Sequence, residues 1–455
     1  MNRTFHLHGA ALAAALFLST AALAFAEETE SLDLAACVAR ALAAGDALRA
    51  AEAQAEAQEG RVAAARAQRL PGLTLSGSYV RSAEVGGGVI DLGGPTVTLP
   101  SPLPDSFAAR LQVQETVYAG GRIDAGIRAA SALASAAAAQ RAAARAAAAV
   151  SAERAYWNLY LAQESETAAL DLLRAMESHR RDSEDRLAQG AGTRSEVLSW
   201  RLREVQARDA AGGAGTRRAQ ASASLALLLG LPWDSDLRAA PPPEAASREE
   251  PVDVGAAVRA ALESRRDIAE ADARAAAQGA SLDQARGALL PTVQLTGSFS
   301  LLNPNPKVFP QREGFEPYWE AGILASWDAG GLPGNLARVR EAEAGLRAAR
   351  YRSDAVRRAA EAEVVAAAIA LQDARRRLAV TSAALDLALE NRKVAEDRHA
   401  AGIALDAELA DAEAALTAAR LESLRARAAS ELAAAALRDA AGGSAESLVP
   451  GSGRP

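Results

Sequence analysis

The chain has 455 residues and a formal net charge of −7. An acidic chain repels phosphate backbones, so no nucleic-acid partner is expected. The only cysteine is Cys37, which excludes an intrachain disulfide framework and a metal cluster held by thiolates. Beyond residue 26 the chain has two histidines, His179 and His399. This argues against a His-rich metal site, and no cofactor is expected.

The first 26 residues have the pattern of a cleaved secretory signal. Arg3 supplies the positive charge, an apolar stretch follows, and Ala24-Phe25-Ala26 fits the cleavage site. We therefore expect an exported mature chain that begins at Glu27 and has no membrane anchor here. Lipidation of Cys37 is an alternative, because "LAAC" resembles a lipoprotein cleavage box. The acidic residues just before it disfavour that alternative.

The rest of the chain contains two copies of one plan. "RLPGLTLSGSYV" at 69–80 matches "LLPTVQLTGSFS" at 289–300, and "DRLAQGAGTRSEVL" at 185–198 matches "DRHAAGIALDAEL" at 397–409. Each copy predicts a helix, two strands, a very long helix, a sharp turn and a further helix. The expected segments are a first repeat at 27–236, a proline-rich connector at 237–253, a second repeat at 254–440 and a flexible tail at 441–455.

Alternating polar and apolar residues predict two strands in each copy. The expected strands cover about 72–81 and 108–118 in the first copy, and about 292–301 and 317–328 in the second. Runs of about 9 to 11 residues are long enough to cross a bilayer as tilted strands. Open sheet edges cannot face lipid, so four strands per chain predict a barrel shared between copies. Three copies would give about 12 strands.

Aromatic residues concentrate in the strand segments. Nine of the 15 aromatic residues beyond residue 26 lie within 70–119 and 290–330. Aromatic girdles at the two membrane interfaces would explain this enrichment, although strands favour aromatic residues in any setting. The residues expected to form this membrane belt are Tyr79, Phe107, Tyr118, Phe299, Tyr318, Trp319 and Trp327.

Two very long helices are predicted, between Gly121 and Arg186 and between Gly334 and Arg398. At about 1.5 Å per residue, each would reach roughly 100 Å, far beyond the hydrocarbon core of a membrane. The expected fold class is therefore mainly α with a small membrane β-barrel contribution. Long α-helical hairpins and four β-strands per protomer would form a trimeric 12-stranded β-barrel on an α-barrel.

These motifs, in this order and present twice, resemble the TolC-type outer-membrane factors, the exit ducts of tripartite efflux pumps and type I secretion systems. The resemblance covers roughly residues 31–440. It rests on the strand starts at 70 and 290, the "AGG" helix starts at 119 and 329, and the paired R-x-x-x-G turns. It implies a homotrimer in outer-membrane lipid, a periplasmic adaptor (membrane fusion protein), an inner-membrane efflux transporter that supplies the energy, and no catalysis.

The resemblance also implies roles for residues near the turns. Glu408 and Asp411, six and nine residues after the second turn glycine, would form a ring of carboxylates in the lumen. Being three apart, they share a helix face, although a solvated acidic face would look the same. The family's gate positions carry Glu196 and His399, and we hypothesise that a Glu196–His399 hydrogen bond closes the gate.

The turns are also expected to dock the adaptor. Gly190 suits the left-handed conformation that ends a helix, and Thr193 with Glu196 fits a capping box. Asp406 is the only early carboxylate that could cap the helix after the second turn. Ordinary helix hairpins need similar residues. By resemblance, the candidates for the adaptor-facing ridge are Leu187, Gly190, Val197, Leu198, Gly402, Ile403, Leu405 and Leu409.

Two classes of function remain open from the sequence. The first is an outer-membrane duct, for efflux or for type I protein secretion. The second is a soluble periplasmic coiled-coil scaffold with small β-hairpins. No Ser/His/Asp or HExxH arrangement points to an enzyme. "GGAGTRRAQ" at 212–220 lacks the preceding strand and the Lys-Ser/Thr of a phosphate loop, so a local irregularity of a helix is expected there.

Overall fold

The computed structural model describes residues 31–83, 86–91, 93–98, 103–242, 252–308, 311–401 and 403–443. The signal segment, Gly402 and the tail beyond 443 lie outside the described residues. The helices are α1 (Leu34–Ala44), α2 (Asp46–Ala67), α3 (Arg122–Ala188), α4 (Arg194–Leu228), α5 (Val254–Ser264), α6 (Arg266–Gly287), α7 (Leu332–Ala400) and α8 (Asp406–Ala440).

The long helices α3 and α7 contain 67 and 69 residues, which corresponds to about 100 Å each. Gly121 precedes α3 in the left-handed conformation, at φ 79°. Pro333 lies in the first turn of α7, where its fixed φ and missing N–H are compatible with a helix start. We call the pair α3 and α4 the first hairpin and the pair α7 and α8 the second hairpin.

Four antiparallel strands form the main sheet, in the order β2, β5, β7, β8. Their bounds are β2 (Gly72–Arg81), β5 (Asp105–Tyr118), β7 (Thr292–Asn303) and β8 (Glu316–Ser326). The pairing of β5 with β7 joins the two repeats into one sheet. The last strand ends before Trp327, whose indole N–H donates to the backbone carbonyl of Leu289 instead.

Four short strands were not predicted. β1 (Ser31–Leu32) pairs in parallel with β6 (Arg238–Ala239), and β3 (Val89–Asp91) pairs with β4 (Thr96–Thr98). The β1–β6 pair ties the start of the described chain to the connector, halfway along the long helices. Strands of two or three residues are too short to show an alternation of polar and apolar residues.

The main core lies beside the β1–β6 pair. It contains the aromatic side chains of Tyr156, Trp157 and Tyr160 from the middle of α3. The hydroxyl of Tyr156 donates to the carbonyl of Ala240 at 2.6 Å, so the connector is held to α3. Many of the other buried residues in the helices are alanines, which permit close approach.

The helices have unequal numbers of neighbours. α3 packs along α1, α2, α4, α6 and α8, whereas α7 packs along α5, α6 and α8. The α3–α6 contact joins the repeats, with Arg128 donating to Asp283 at 2.7 Å. Near the sheet the two helices are so close that a Cβ on Gly120 would collide with the carbonyl oxygen of Gly287. Among the described helices, none is long and apolar enough to cross a membrane.

Candidate functional site

The candidate site has two parts, the sheet at one end of the molecule and the two turns at the other. We call residues 189–193 the first tip turn and residues 401–405 the second tip turn.

The first tip turn is closed by its own backbone and by a complete capping box. Gly190 adopts φ 74°. The Thr193 side chain accepts from the backbone N–H of Glu196, and the Glu196 carboxylate accepts from the backbone N–H of Thr193, both at 3.3 Å. Both expectations for this turn are therefore confirmed.

The second tip turn is built differently. Leu405 occupies the N-cap position of α8 and provides no side-chain cap. Asp406, the expected cap, instead contacts His399, with 2.7 Å between Oδ1 and Nε2. The backbone N–H of Ile403 donates to the carbonyl of Arg398. This turn therefore lacks the capping box that closes the first.

The hypothesised gate bond between Glu196 and His399 is not present between these two described residues. Glu196 belongs to the capping box, and His399 contacts Asp406. The imidazole of His399 lies near that of His179, with 6.5 Å between the ring centroids. Helix packing thus gives His399 a partner seven residues along its own hairpin rather than one on the first hairpin.

The two carboxylates expected to line the lumen both have arginine partners. Glu408 Oε1 lies 2.6 Å from Arg398 Nη1 within the second hairpin. Asp411 Oδ1 lies 3.7 Å from Arg203 Nη1, and this contact joins α8 to α4. The Asp411 side chain remains 78% exposed, so water screens its pairing with Arg203.

A buried cluster between the hairpins was missed in the sequence. Trp200 of α4 packs with Met176 of α3, Ala207 of α4 and Ala410 of α8. The ring of His179 lies 4.7 Å from that of Trp200. A lone tryptophan in an alanine-rich helix, three residues after Val197, was the available signal for this contact.

His179 is a titratable group within this cluster. Burial lowers its pKa, and Glu413, Asp182 and Asp406 raise it in part. Its Nε2 atom is buried without a hydrogen-bond partner among the described residues. The neutral imidazole is therefore the form that suits the packed hairpins.

Ionic contacts hold the first hairpin together above its turn. Arg180 contacts both Glu184 and Glu204, at 2.5 Å and 2.6 Å. Arg208 and Arg180 hold the pKa of the buried Glu204 carboxyl below its usual range. In the second hairpin, the equivalent Arg392 has only longer contacts, at 3.4 Å and 3.9 Å.

The residues predicted to dock an adaptor divide into two groups. Leu187, Leu198, Ile403 and Leu405 are exposed, whereas Val197 and Leu409 are buried. Leu409 packs with Ala395 and Ala412 inside the second hairpin. The expectation that Val197 and Leu409 face a partner was therefore wrong, because each lies on the inward side of its helix. Gly402 is outside the described residues.

The main sheet has one apolar and one polar face. Leu75, Leu111, Phe299 and Trp319 lie across from one another in register on the apolar face. The polar face carries Arg110, whose Nε donates to Ser300 Oγ at 3.2 Å. The two faces follow from the alternation of side chains along a strand.

Six of the seven aromatic residues expected in the membrane belt fit the apolar side. Tyr118 lies beside Val293 because the pairing shifts between Thr116 and Tyr118. Tyr318 does not fit, since it pairs with Ser300 on the polar face. Its ring lies 5.5 Å from the ammonium group of Lys307. The residues on the apolar side of the sheet, or beside its helical end, are Tyr79, Phe107, Tyr118, Phe299, Trp319 and Trp327.

Cys37 is fully buried in α1, in the core beside the β1–β6 pair. Cleavage before Cys37 would remove β1 and Asp33, whose side chain caps α1. Burial also raises the pKa of the Cys37 thiol to about 11. These observations disfavour lipidation at this residue.

A family model described as outer membrane efflux protein matches residues 37–231 and 257–443. No curated protein matches the chain. Several solved structures share its fold. The CmeC outer membrane channel of Campylobacter jejuni has 17% identity and a TM-score of 0.77, with 90% of this chain and 85% of that chain covered.

Two further structures are similar. VceC of Vibrio cholerae has 22% identity and a TM-score of 0.73, with 91% of this chain and 97% of that chain covered. The MtrE channel of Neisseria gonorrhoeae, in its open state, has 21% identity and a TM-score of 0.74, with coverages of 90% and 89%. The expected mainly helical fold and the family resemblance are thereby confirmed.

Proposed function

Because the chain belongs to the outer membrane efflux protein family, we propose that it is the outer-membrane duct of a tripartite efflux system. It conducts substrates passively from the periplasm to the exterior. The observation that carries this proposal is a four-stranded sheet with one apolar and one polar face, attached to helices of about 100 Å.

The sheet is suited to a shared barrel. Among the described strands, β2 and β8 each pair on one side only. Successive strands alternate in direction, so β8 of one copy and β2 of the next would also pair antiparallel. Three copies close a barrel of about 12 strands, which leaves no edge exposed to lipid.

The spacing of aromatic residues fits a bilayer. Tyr118 lies beside Val293 at the helical end of the sheet, and Phe107 lies opposite Asn303 near the other end. Ten residues of β7 separate these levels, or about 33 Å along the strand. A strand tilted by about 40° then spans roughly 25 Å of membrane, the usual height of the apolar band.

The apolar face would contact lipid and the polar face would line the lumen. The side chains of Arg110, Gln112 and Gln114 follow one another on the polar face of β5. In this arrangement Tyr318 lines the lumen. A polar lumen lets hydrated substrates leave without binding tightly.

The tip turns serve as the periplasmic end of the duct. Exposed Leu187, Leu198, Ile403 and Leu405 form an apolar rim that would dock a periplasmic adaptor, through which an inner-membrane transporter delivers cargo. The contact between Arg203 and Asp411 joins the two hairpins, and its loss would loosen the closed end. The chain itself needs no cofactor and performs no catalysis.

Membrane fractionation tests the proposal. The duct should remain in outer membranes after washing with high salt and carbonate, and it should run as a trimer in mild detergent. A periplasmic scaffold would be released by the wash. Release of the full-length chain together with a monomeric mass would overturn the proposal.

A further inference from the structure

The turn that follows β7 folds back over the polar face of the main sheet. We call residues 304–308 the inner turn. Asn305 is 5% exposed although it lies beyond the end of the strand. The ammonium group of Lys307 lies 5.5 Å from the centroid of the Tyr318 ring, and Tyr318 belongs to the polar face. A turn directed away from the sheet would leave Asn305 exposed and Lys307 far from that ring.

The exposure of two serines on β7 indicates which part of the polar face is covered. Ser298 and Ser300 lie two residues apart on this face, and each has one neighbour on β5 and one on β8. Ser300 is 1% exposed, whereas Ser298 has intermediate exposure. We attribute the additional cover to the inner turn, because Lys307 reaches the Tyr318 ring beside Ser300.

Local hydrogen bonds fix the shape of the inner turn. Asn305 Oδ1 accepts from the backbone N–H of Lys307 at 3.0 Å, a bond that asparagine commonly makes in turns. The carbonyl of Asn305 accepts from the backbone N–H of Val308 at 3.2 Å. Where the loop returns towards β8, the backbone N–H of Gly314 donates to Asn303 Oδ1 at 2.9 Å. These bonds hold the turn in a defined place over the sheet.

In the proposed barrel the polar face lines the lumen, so the inner turns of three copies would project into it. About 12 strands, spaced about 4.8 Å apart and tilted by about 40°, give a barrel radius of roughly 12 Å. A segment packed on a sheet face lies up to about 10 Å from it. The three turns would therefore leave a narrow passage near the outer end of the sheet, where Leu302 and Glu316 form the last pair of β7 with β8.

The side chains at the level of the inner turn are positively charged. Arg110 is paired with Ser300, and its Nε donates to Ser300 Oγ at 3.2 Å. Lys307 lies over Tyr318, the partner of Ser300 on the other side. Three copies would therefore place six cations around the narrowed level. Rings of Arg or Lys side chains favour anions in a pore.

Two carboxylates face the same lumen on either side of this level. Glu316 lies opposite Leu302, nearer the exterior, and Glu320 lies opposite Ser298, nearer the helices. Glu320 Oε1 accepts from Ser298 Oγ at 3.2 Å. Each carboxylate is two residues, or about 7 Å along the strand, from Tyr318. The cations have the larger effect on a passing solute, because walls of low dielectric constant focus the field where the passage is narrow.

We propose that the inner turns of three copies form a constriction at the outer mouth of the duct, and that Lys307 and Arg110 make this constriction favour anionic solutes over cationic ones. The inference rests on the proposed shared duct, which brings the three turns together. The contact with Lys307 also explains why Tyr318 lies on the polar face and not in the membrane belt.

Single cysteines and a small thiol reagent, added to intact cells, test the cover. Ser300→Cys and Ser298→Cys match in residue type, strand and face. Ser300→Cys lies nearer the exterior, yet it should react about tenfold more slowly because the inner turn covers it. Arg110 would favour the reactive thiolate at residue 300, so slow reaction there reports cover and not thiol chemistry. Native Cys37 is buried, and the wild type measures its background.

Replacement of the inner turn separates its cover from that of the neighbouring strands. When residues 304–308 are replaced by two glycines, Ser300→Cys should react as fast as Ser298→Cys. An unchanged slow rate in an intact trimer would show that the neighbouring strands, and not the turn, cover Ser300, and it would overturn the constriction.

A cysteine beyond the constriction tests the charge preference. Gln112→Cys lies opposite Ser298 on the polar face, so reagents from the exterior must pass the inner turns to reach it. The measured quantity is the rate with an anionic methanethiosulfonate divided by the rate with a cationic one. Lys307→Glu should lower this ratio about tenfold, because charges reversed in three copies at about 10 Å act despite screening by salt.

The matched control for charge is Arg312→Glu, which makes the same change at an exposed residue of the same loop. It should lower the ratio about twofold or less, because bulk water screens an exposed charge. An unchanged ratio in Lys307→Glu, or an equal fall in both variants, would overturn the charge preference at the constriction.

The outcomes for the constriction and for the duct are distinguishable. A trimer that stays in the outer membrane but has Ser300→Cys reacting as fast as Ser298→Cys overturns the constriction and leaves the duct intact. A wild-type chain that is monomeric and leaves the membrane on washing overturns the duct, and the constriction with it.

Discussion

The two tip turns occupy equivalent places in the repeat and are held by different groups. The first has a complete capping box and an ionic network around Glu204. The second has no side-chain cap, and its helices meet through the contacts of His399 with Asp406 and Arg398 with Glu408. Equivalent places in the repeat therefore do not imply equal stability. We therefore expect the first hairpin to be the stiffer of the two and the second to open more easily.

The largest effect is expected at Trp200, which joins the hairpins. Trp200→Ala removes a side chain that is 1% exposed and should cost about 3 to 5 kcal/mol of local stability. Hydrogen exchange should accelerate in both hairpins near the tips. Trp233→Ala, at a position that is 70% exposed, is the matched control and should change the exchange little. Equal exchange in both variants would show that Trp200 does not join the hairpins.

The ionic contacts of the two hairpins can be compared at equivalent arginines. Arg180→Met leaves Glu204 without its 2.6 Å partner and should cost about 1 to 3 kcal/mol. Arg392→Met breaks contacts of 3.4 Å and 3.9 Å and should cost less than about 1 kcal/mol. Thermal unfolding of the two variants checks the order. A larger loss in Arg392→Met would contradict the assignment of the stiffer hairpin.

Capping can be removed from one turn and added to the other. Thr193→Ala should destabilise the start of α4 by about 1 kcal/mol, whereas Leu405→Ser should stabilise the start of α8 by up to about 1 kcal/mol. Amide exchange in the first turn of each helix measures both changes. Thr381→Ala, inside α7, controls for loss of a hydroxyl. No change in Leu405→Ser would mean that capping does not distinguish the turns.

Much of this comparison was accessible from sequence alone. The capping box of Thr193 and Glu196 involves residues three apart, so local spacing was enough to predict it. The partner of His399 was not accessible. Asp406 and Glu196 are both carboxylates near a turn, and the choice between them depends on how far apart the two hairpins pack.

A smaller effect is expected for the contact between hairpins at Arg203. Arg203→Ala removes an ion pair with the exposed Asp411, worth at most about 1 kcal/mol, or roughly fivefold in the open fraction of the duct. Single-channel conductance in planar bilayers measures that fraction. Arg201→Ala, whose partner Glu184 lies within the first hairpin, should leave the open fraction unchanged. The same increase in both variants would contradict a specific role of Arg203.

The smallest effect should be a dependence on pH that arises from His179. Burial holds its pKa below the ordinary 6.5 while Glu413 and Asp182 offset part of that shift. The opened state then binds more protons, so the contact is fully stable above the ordinary value and weakens as the pH falls below it. Protection factors at the tips, which correct amide exchange for its intrinsic dependence on pH, should fall from pH 7.5 to pH 5 in the wild type. His179→Phe keeps an aromatic ring against Trp200 and should flatten this trend; an unchanged slope would exclude His179 as its source.

Local patterns in the chain were sufficient for the repeat, the four strands, the length of α3 and α7, and the left-handed Gly190. The repeat follows from comparing two stretches of sequence, and the other features depend on residues a few positions apart, through side-chain alternation, helical periodicity or a single φ angle. Packing between distant segments determined the rest. Val197 and Leu409 face inward, Tyr318 lies on the polar face, and Asp406 contacts His399 instead of capping α8. Each outcome depends on which helix or strand lies alongside.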